Sequence, residues 1–284
     1  MKTPKGKLIP IGGNEARKTE QKEDSEQKFD FKHGVLEEVI KEMKGEKPRI
    51  VVLPLASQHQ EEFEEIYKGA FKRLGHDIEV LIIHGKKDAD KKENLQALRQ
   101  CDGVFITGGD QSRLIQRLED TEFMKILKDR YLNDDFVIAG TSAGAMVMSE
   151  YMIHGGKSEE SIVKGITKIA DGFGFLPGTI IDTHFLSRGR FSRLTEALLQ
   201  RRDATGIGLC EDTAVVITKG HELKAIGSGT VTIIEGEHIE NTNYEDIGER
   251  DPIFIDNLKV HILSKGAGFD LNKKKFLVFH SRMK

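Results

Sequence analysis

Short runs of apolar residues alternate along this chain with segments whose apolar residues recur at the helical period. The runs are Arg49 to Leu55, Ile78 to Ile83, Gly103 to Thr107 and Phe136 to Ala139. Between them, Phe63, Ile66, Tyr67, Ala70, Phe71 and Leu74 form one helical stripe; Leu95 and Leu98 mark a more polar helix. Leu114, Ile115 and Leu118 suit a further helix, as do Phe123, Met124, Ile126 and Leu127. A strand that is apolar on both sides must be covered on both sides. A mostly parallel sheet between two layers of helices meets that requirement. Such a sheet gathers ligands beyond the carboxyl ends of its strands, so the chemistry belongs in the strand-to-helix turns.

The two ends read differently. Residues 7–13 form a short strand running into a glycine turn. Residues 14–30 are dense in Lys, Glu, Asp and Gln and read as a solvated loop or mobile segment. A helix fits Phe31, Val35, Leu36, Val39, Ile40 and Met43. Later, Ala214 to Thr218, Leu223 to Ile226 and Val231 to Glu235 are short runs split by glycines, the pattern of antiparallel hairpins, and 276–279 suit a terminal strand. No repeat or linker divides the 284 residues, so a single domain over 1–284 is expected.

Composition excludes several function classes. The net charge of −3 argues against a protein that grips nucleic acid by its phosphates. Two cysteines, Cys101 and Cys210, give no disulfide framework. The first ten residues lack the apolar region of a signal peptide, and no stretch nears the roughly 18 apolar residues of a membrane span. A cytoplasmic protein without membrane contact is expected.

The most specific motif is Gly140-Thr141-Ser142-Ala143-Gly144, between the strand ending at Ala139 and a helix-like Ala145 to Met148. G-x-S-x-G in a strand–turn–helix setting lifts a serine hydroxyl above the sheet edge on a strained turn. The Ala143 N–H then lies at a helix N-terminus, where it can stabilise a developing oxyanion. Gly108-Gly109-Asp110-Gln111 closes the preceding strand, and the N–H of Gly109 or Asp110 is the candidate second donor. The absence of Lys-Ser/Thr after the glycines argues against a phosphate-binding loop.

A serine nucleophile needs a base, usually histidine. Of the ten histidines, His184 stands out, at the end of the apolar run 178–181 within Asp182-Thr183-His184-Phe185. The acid that orients it could be Glu211, Asp212 or Asp182; spacing alone does not choose. Arg188, Arg190 and Arg193 follow closely and suit bidentate capture of carboxylates.

At these residues the chain resembles the cyanophycinases, serine peptidases grouped with aspartyl dipeptidase (peptidase E). The resemblance spans about residues 7–280 and is anchored on Ile11-Gly-Gly13, Phe105 to Gln111, Gly140 to Ala145, Asp182 to Phe185 and Arg188 to Arg193. It implies a three-layer αβα sandwich similar to class I glutamine amidotransferases, no metal or organic cofactor, and a homodimer. It implies Ser142 as nucleophile, His184 as base and Glu211 as orienting acid, with Gln111, Asp182, Arg188 and Arg193 shaping the substrate pocket. The implied substrate is cyanophycin, a poly-aspartate backbone with arginine on each side chain, cut to β-aspartyl-arginine dipeptides. A peptidase for short aspartyl dipeptides and a non-catalytic binding protein on the same fold are the rival expectations.

Overall fold

The computed structural model describes residues 2–14, 34–156 and 161–277. The charged stretch 15–30, Phe31 and residues 278–279 of the expected terminal strand lie outside the described residues. The first half runs β1 (Lys7–Ile11), α1 (Val35–Lys41), β2 (Ile50–Leu53), α2 (Gln60–Arg73), β3 (Ile78–Val80), α3 (Lys86–Ala89), α4 (Lys92–Gln100), β4 (Gly103–Ile106), α5 (Gln111–Leu118), α6 (Glu122–Asn133), β5 (Val137–Thr141) and α7 (Ala143–Met146). The second half is strand-rich: β6 (Ser149–Gly155), β7 (Lys168–Asp171), β8 (Leu176–Asp182), α8 (Phe191–Gln200), β9 (Thr205–Leu209), β10 (Thr213–Thr218), β11 (Glu222–Gly227), β12 (Val231–Glu235), β13 (Lys259–Leu263), β14 (Gly268–Asp270) and β15 (Lys275–Leu277).

Among the described residues the strands form two sheets. The nine-stranded sheet has the order β15-β14-β11-β10-β1-β5-β4-β2-β3. From β1 to β3 its neighbours are parallel; from β1 to β15 they are antiparallel. Alternation along the strands decides what each face covers. Ile9, Val52, Phe105, Val137 and Val216 share a buried cluster with residues of α1 and α2. Leu8, Val51, Val104, Ile138 and Val215, one position out of step, pack with residues of α4, α5 and α6. The helices therefore cover both faces of the parallel part, giving the expected α/β sandwich. Side-chain caps help start two of them: Thr121 Oγ1 accepts from Met124 N at α6, and the Asp110 carboxylate accepts from Ser112 N at α5.

The second sheet, in the order β13-β12-β9-β8-β6-β7, was not expected. It mixes parallel β6–β8–β9 with antiparallel partners at both edges. Leu194, Ala197 and Leu198 of α8 cover one of its faces with Ile153, Ile180 and Ile234. The hairpin reading of the C-terminal runs is accordingly corrected in part. β10 and β11 pair as a hairpin, but β12 leaves for the second sheet and pairs with β9 and β13. The connection Gly227-Ser228-Gly229 makes the switch possible, with Gly227 at φ +95 and its N-terminal neighbour already paired to β10.

Candidate active site

Ser142 follows β5 directly and opens α7. Its backbone sits at φ 52, ψ −114, a region that costs a non-glycine residue about 1–3 kcal/mol. The surroundings hold it there. The Ser142 N–H donates to Ile11 O at the end of β1, 3.0 Å away, and Ser142 O accepts from Ala145 N and Met146 N at 3.0 Å each. The flanking glycines are required by close approach: a Cβ on Gly140 would lie 2.5 Å from Gly144 O, and one on Gly144 would lie 2.3 Å from Ile106 O. The G-x-S-x-G pattern is thus a steric consequence of folding α7 back on β4 and β5.

His184 leaves the end of β8, also with positive φ, at 48. Its backbone N–H donates to Gly12 O at 2.7 Å, and Phe185 N donates to Leu209 O at 3.0 Å. Phe185 is fully buried, which anchors the residue next to His184 in the core. Gly13 leaves room for the imidazole: a Cβ there would come within 2.4 Å of both Cε1 and Nε2. Glu211 stands just past the end of β9.

These elements bring three side chains into line. His184 Nδ1 lies 2.7 Å from Glu211 Oε1, and His184 Nε2 lies 3.2 Å from Ser142 Oγ. With Glu211 ionised, Nδ1 carries the proton and Nε2 faces the serine hydroxyl as an acceptor. Burial lowers the His184 pKa below the ordinary histidine value, opposed by the hydrogen bond to Glu211 and assisted by the positive charge of Arg188. The imidazole is therefore neutral at neutral pH, as a general base must be. The Glu211 pKa is lowered, chiefly by the His184 hydrogen bond and also by donors from Asn14 and Ser187. Of the three acids left open by spacing, Glu211 is the one that meets the imidazole. Asp212 instead accepts from Ser228 Oγ at 2.8 Å.

The other expected site residues divide. Ala143 is the first residue of α7, and Gly109 sits at φ +142 against Ala56. Asp110 does not supply the oxyanion donor. Its N–H is taken by Ala56 O at 2.9 Å, and its carboxylate caps α5. Gln111 is half-buried and donates from Nε2 to Ile153 O at 2.7 Å. Asp182 is 0% exposed, and its carboxylate accepts from Arg193 Nε at 2.6 Å, Arg193 Nη2, Arg190 Nη1 at 3.2 Å and Thr183 N at 2.8 Å. Arg190 also donates to Thr183 O at 2.7 Å. The expectation that Asp182 and Arg193 face substrate is therefore corrected, since both are buried and paired with each other. Half-buried Arg190 joins this pair through Nη1. Arg188 alone of the three arginines is exposed.

Sequence reasoning placed Gly108 in the turn after β4 without a role of its own, and it missed Asn14 and Ser187. A Cβ on Gly108 would lie 3.2 Å from Ser142 Cβ and 3.7 Å from its Oγ, so this glycine walls the nucleophile. Asn14 and Ser187 both donate to Glu211. Nothing in their residue types announces that role; the contacts emerge only when the segments that follow β1, β8 and β9 meet.

Two clusters among the described residues have metal-ligand chemistry, His221 with Glu222 and Asp270, and Glu235 with Glu237 and His238. Lysines already stand beside their carboxylates: Lys219 on Glu222 at 3.0 Å, Lys273 near Asp270 at 3.4 Å and Lys259 on Glu235 at 3.2 Å. Neither cluster contains a residue of the Ser142–His184–Glu211 line. No helix among the described residues is long and apolar enough to cross a membrane.

Comparison with known proteins gives the family of this geometry. The sequence profile of peptidase family S51 matches residues 24–226. The cyanophycinase of Trichormus variabilis is 37% identical over 232 residues, covering 81% of this chain and 78% of the relative. The cyanophycinase of Geminocystis herdmanii is 37% identical over 222 residues, covering 78% of this chain and 82% of the relative. A crystal structure of a peptidase from an acI-B1 Actinobacterium superposes with a TM-score of 0.66 over 95% of this chain and 98% of the other, at 20% identity. A putative peptidase E protein from Listeria monocytogenes gives 0.53 over 79% of this chain and 99% of the other, at 19% identity. At these identities the two structures speak for the fold.

Proposed function

The chain belongs to peptidase family S51 and is a serine peptidase, and from that premise we propose that it hydrolyses the aspartyl backbone of cyanophycin, releasing β-aspartyl-arginine dipeptides through an acyl-enzyme. The observation that carries this reading is the continuous line from Glu211 through His184 to Ser142, with contacts of 2.7 and 3.2 Å, ending on a hydroxyl at a strained strand–helix turn.

Ser142 Oγ attacks an aspartyl carbonyl carbon while His184 Nε2 takes its proton. The carbonyl oxygen gains the negative charge and is held by the N–H of Ala143 and of Gly109. The imidazolium, steadied by Glu211, then protonates the leaving amine. Water, activated by the same nitrogen, releases the acyl group and restores the hydroxyl. Arg188, exposed next to the base, suits a substrate that presents carboxylates. Gln111 shapes the neighbouring wall through its bond to β6. The reading includes one domain over 1–284, a cytoplasmic location and a homodimer, the last two being tested by fractionation and light scattering.

The deciding experiment incubates the purified protein separately with cyanophycin and with an aspartyl dipeptide, and identifies products by mass. Release of β-aspartyl-arginine from the polymer is the expected outcome. Cleavage of the dipeptide alone would transfer the activity to small substrates. No cleavage of either, with no labelling of Ser142 by a serine-directed phosphonate, would leave a binding protein.

A further inference from the structure

The turn that follows β1 holds the base, its acid and the residue after that acid with three consecutive residues. Gly12 O accepts from His184 N at 2.7 Å, Gly13 O accepts from Asp212 N at 2.9 Å, and Asn14 Nδ2 donates to Glu211 Oε2 at 3.0 Å. Asn14 has φ 49, a left-handed conformation that asparagine tolerates better than most residues. The other oxygen of Glu211, Oε1, faces His184 Nδ1 and also accepts from Ser187 Oγ at 3.1 Å. The Glu211 side chain is 32% exposed. A carboxylate that open, held only by the imidazole, would keep a broad choice of terminal torsion. Donors on both oxygens remove that choice and favour the charged form.

We propose that Asn14 is a positioning residue for the hydrolysis, fixing the plane of the Glu211 carboxylate so that Oε1 stays on His184 Nδ1, with Ser187 as the second brace. The proposal rests on the reading of Ser142, His184 and Glu211 given above. Asn14 transfers no proton and forms no bond to substrate. Its amide acts while the imidazolium exists, when a rotated carboxylate would leave that charge without its partner.

Two substitutions separate the amide from the turn. Asn14→Gly keeps a residue that accepts positive φ and removes the amide. Asn14→Asp keeps size and turn preference but sets a carboxylate against Glu211 Oε2. With the full chain and cyanophycin, N14G is expected to lower kcat about fivefold with KM unchanged, and S187A about twofold, the scale of one partly exposed charged hydrogen bond each. N14D is expected to fall further at neutral pH. On acidification the two facing carboxyls come to share a proton, which restores a donor, so the ratio of N14D to unsubstituted rate rises as pH falls. A residue that merely holds the turn would give an unchanged N14G rate and a pH-independent N14D ratio, and either result overturns the proposal. The low-field proton resonance of His184 Nδ1–H provides a readout that needs no turnover. It should shift or broaden in N14G. If it does so in a protein that cleaves nothing, the functional reading fails and the positioning stands; if the protein cleaves and neither rate nor resonance responds to N14G, the positioning fails alone.

Discussion

His184 and His261 each meet a glutamate at nearly the same distance, 2.7 Å to Glu211 and 2.6 Å to Glu235. Their surroundings diverge from there. Glu235 is 0% exposed and is also contacted by Lys259 at 3.2 Å and His238 at 2.9 Å. The His261 ring sits against Phe269 and Phe276, with centroids 4.8 and 5.6 Å away. Glu211 is partly open, and the far nitrogen of its histidine faces a serine hydroxyl on strained backbone. The Glu235 arrangement joins β12 to β13 around a buried carboxylate contacted by Lys259 and two imidazoles; the Glu211 arrangement leaves one ring nitrogen with a reactive partner. An imidazole–carboxylate contact orients a ring, and what lies across that ring decides whether chemistry follows.

Substitutions can press on this contrast in order of effect. Ser142→Ala should lower turnover by about 10⁴-fold or more while leaving thermal unfolding nearly unchanged; retained turnover would remove the serine from its role. Glu211→Gln should cost about 10³-fold, because an amide can donate to Nδ1 and impose the wrong tautomer. Glu235→Gln should leave kcat untouched and lower stability by about 2 kcal/mol in urea unfolding, the loss of charged hydrogen bonds at a buried acceptor. A fall in kcat there would mean that the two pairs are coupled. The smallest effect is on pH dependence. His184 must be neutral to act and its pKa is lowered, so kcat/KM should decline only as pH falls through a midpoint below the usual histidine value. Arg188 adds positive charge that disfavours the imidazolium, so Arg188→Ala should move that midpoint upward by a fraction of a pH unit. Movement downward would contradict the electrostatic picture.

The sequence was legible where one physical cause acts locally. Strands buried on both sides must be apolar throughout, so β2, β4 and β5 were readable. The nucleophile turn needs small residues at Gly140 and Gly144, so its pattern was readable as well. Asp110 was misjudged because an aspartate beside glycines looks the same whether its N–H is free or spent on Ala56 O. Asp182 and Arg193 were misjudged for a related reason. Charges near a histidine suggest a ligand site, and only burial reveals that they satisfy one another. The second sheet was hidden because β6 and β7 carry exposed and half-exposed residues, which weaken the alternation that identifies a strand.

β1 sits between β5 and β10, and the oxygen of its last residue holds the amide of Ser142. An early piece of the chain thus waits for partners made much later. While the polypeptide is still being synthesised, the serine emerges roughly seventy residues ahead of Glu211, with no aligned base to activate it. The aligned line is complete only when β10 has paired with β1 and the segment after β9 has brought Glu211 to His184.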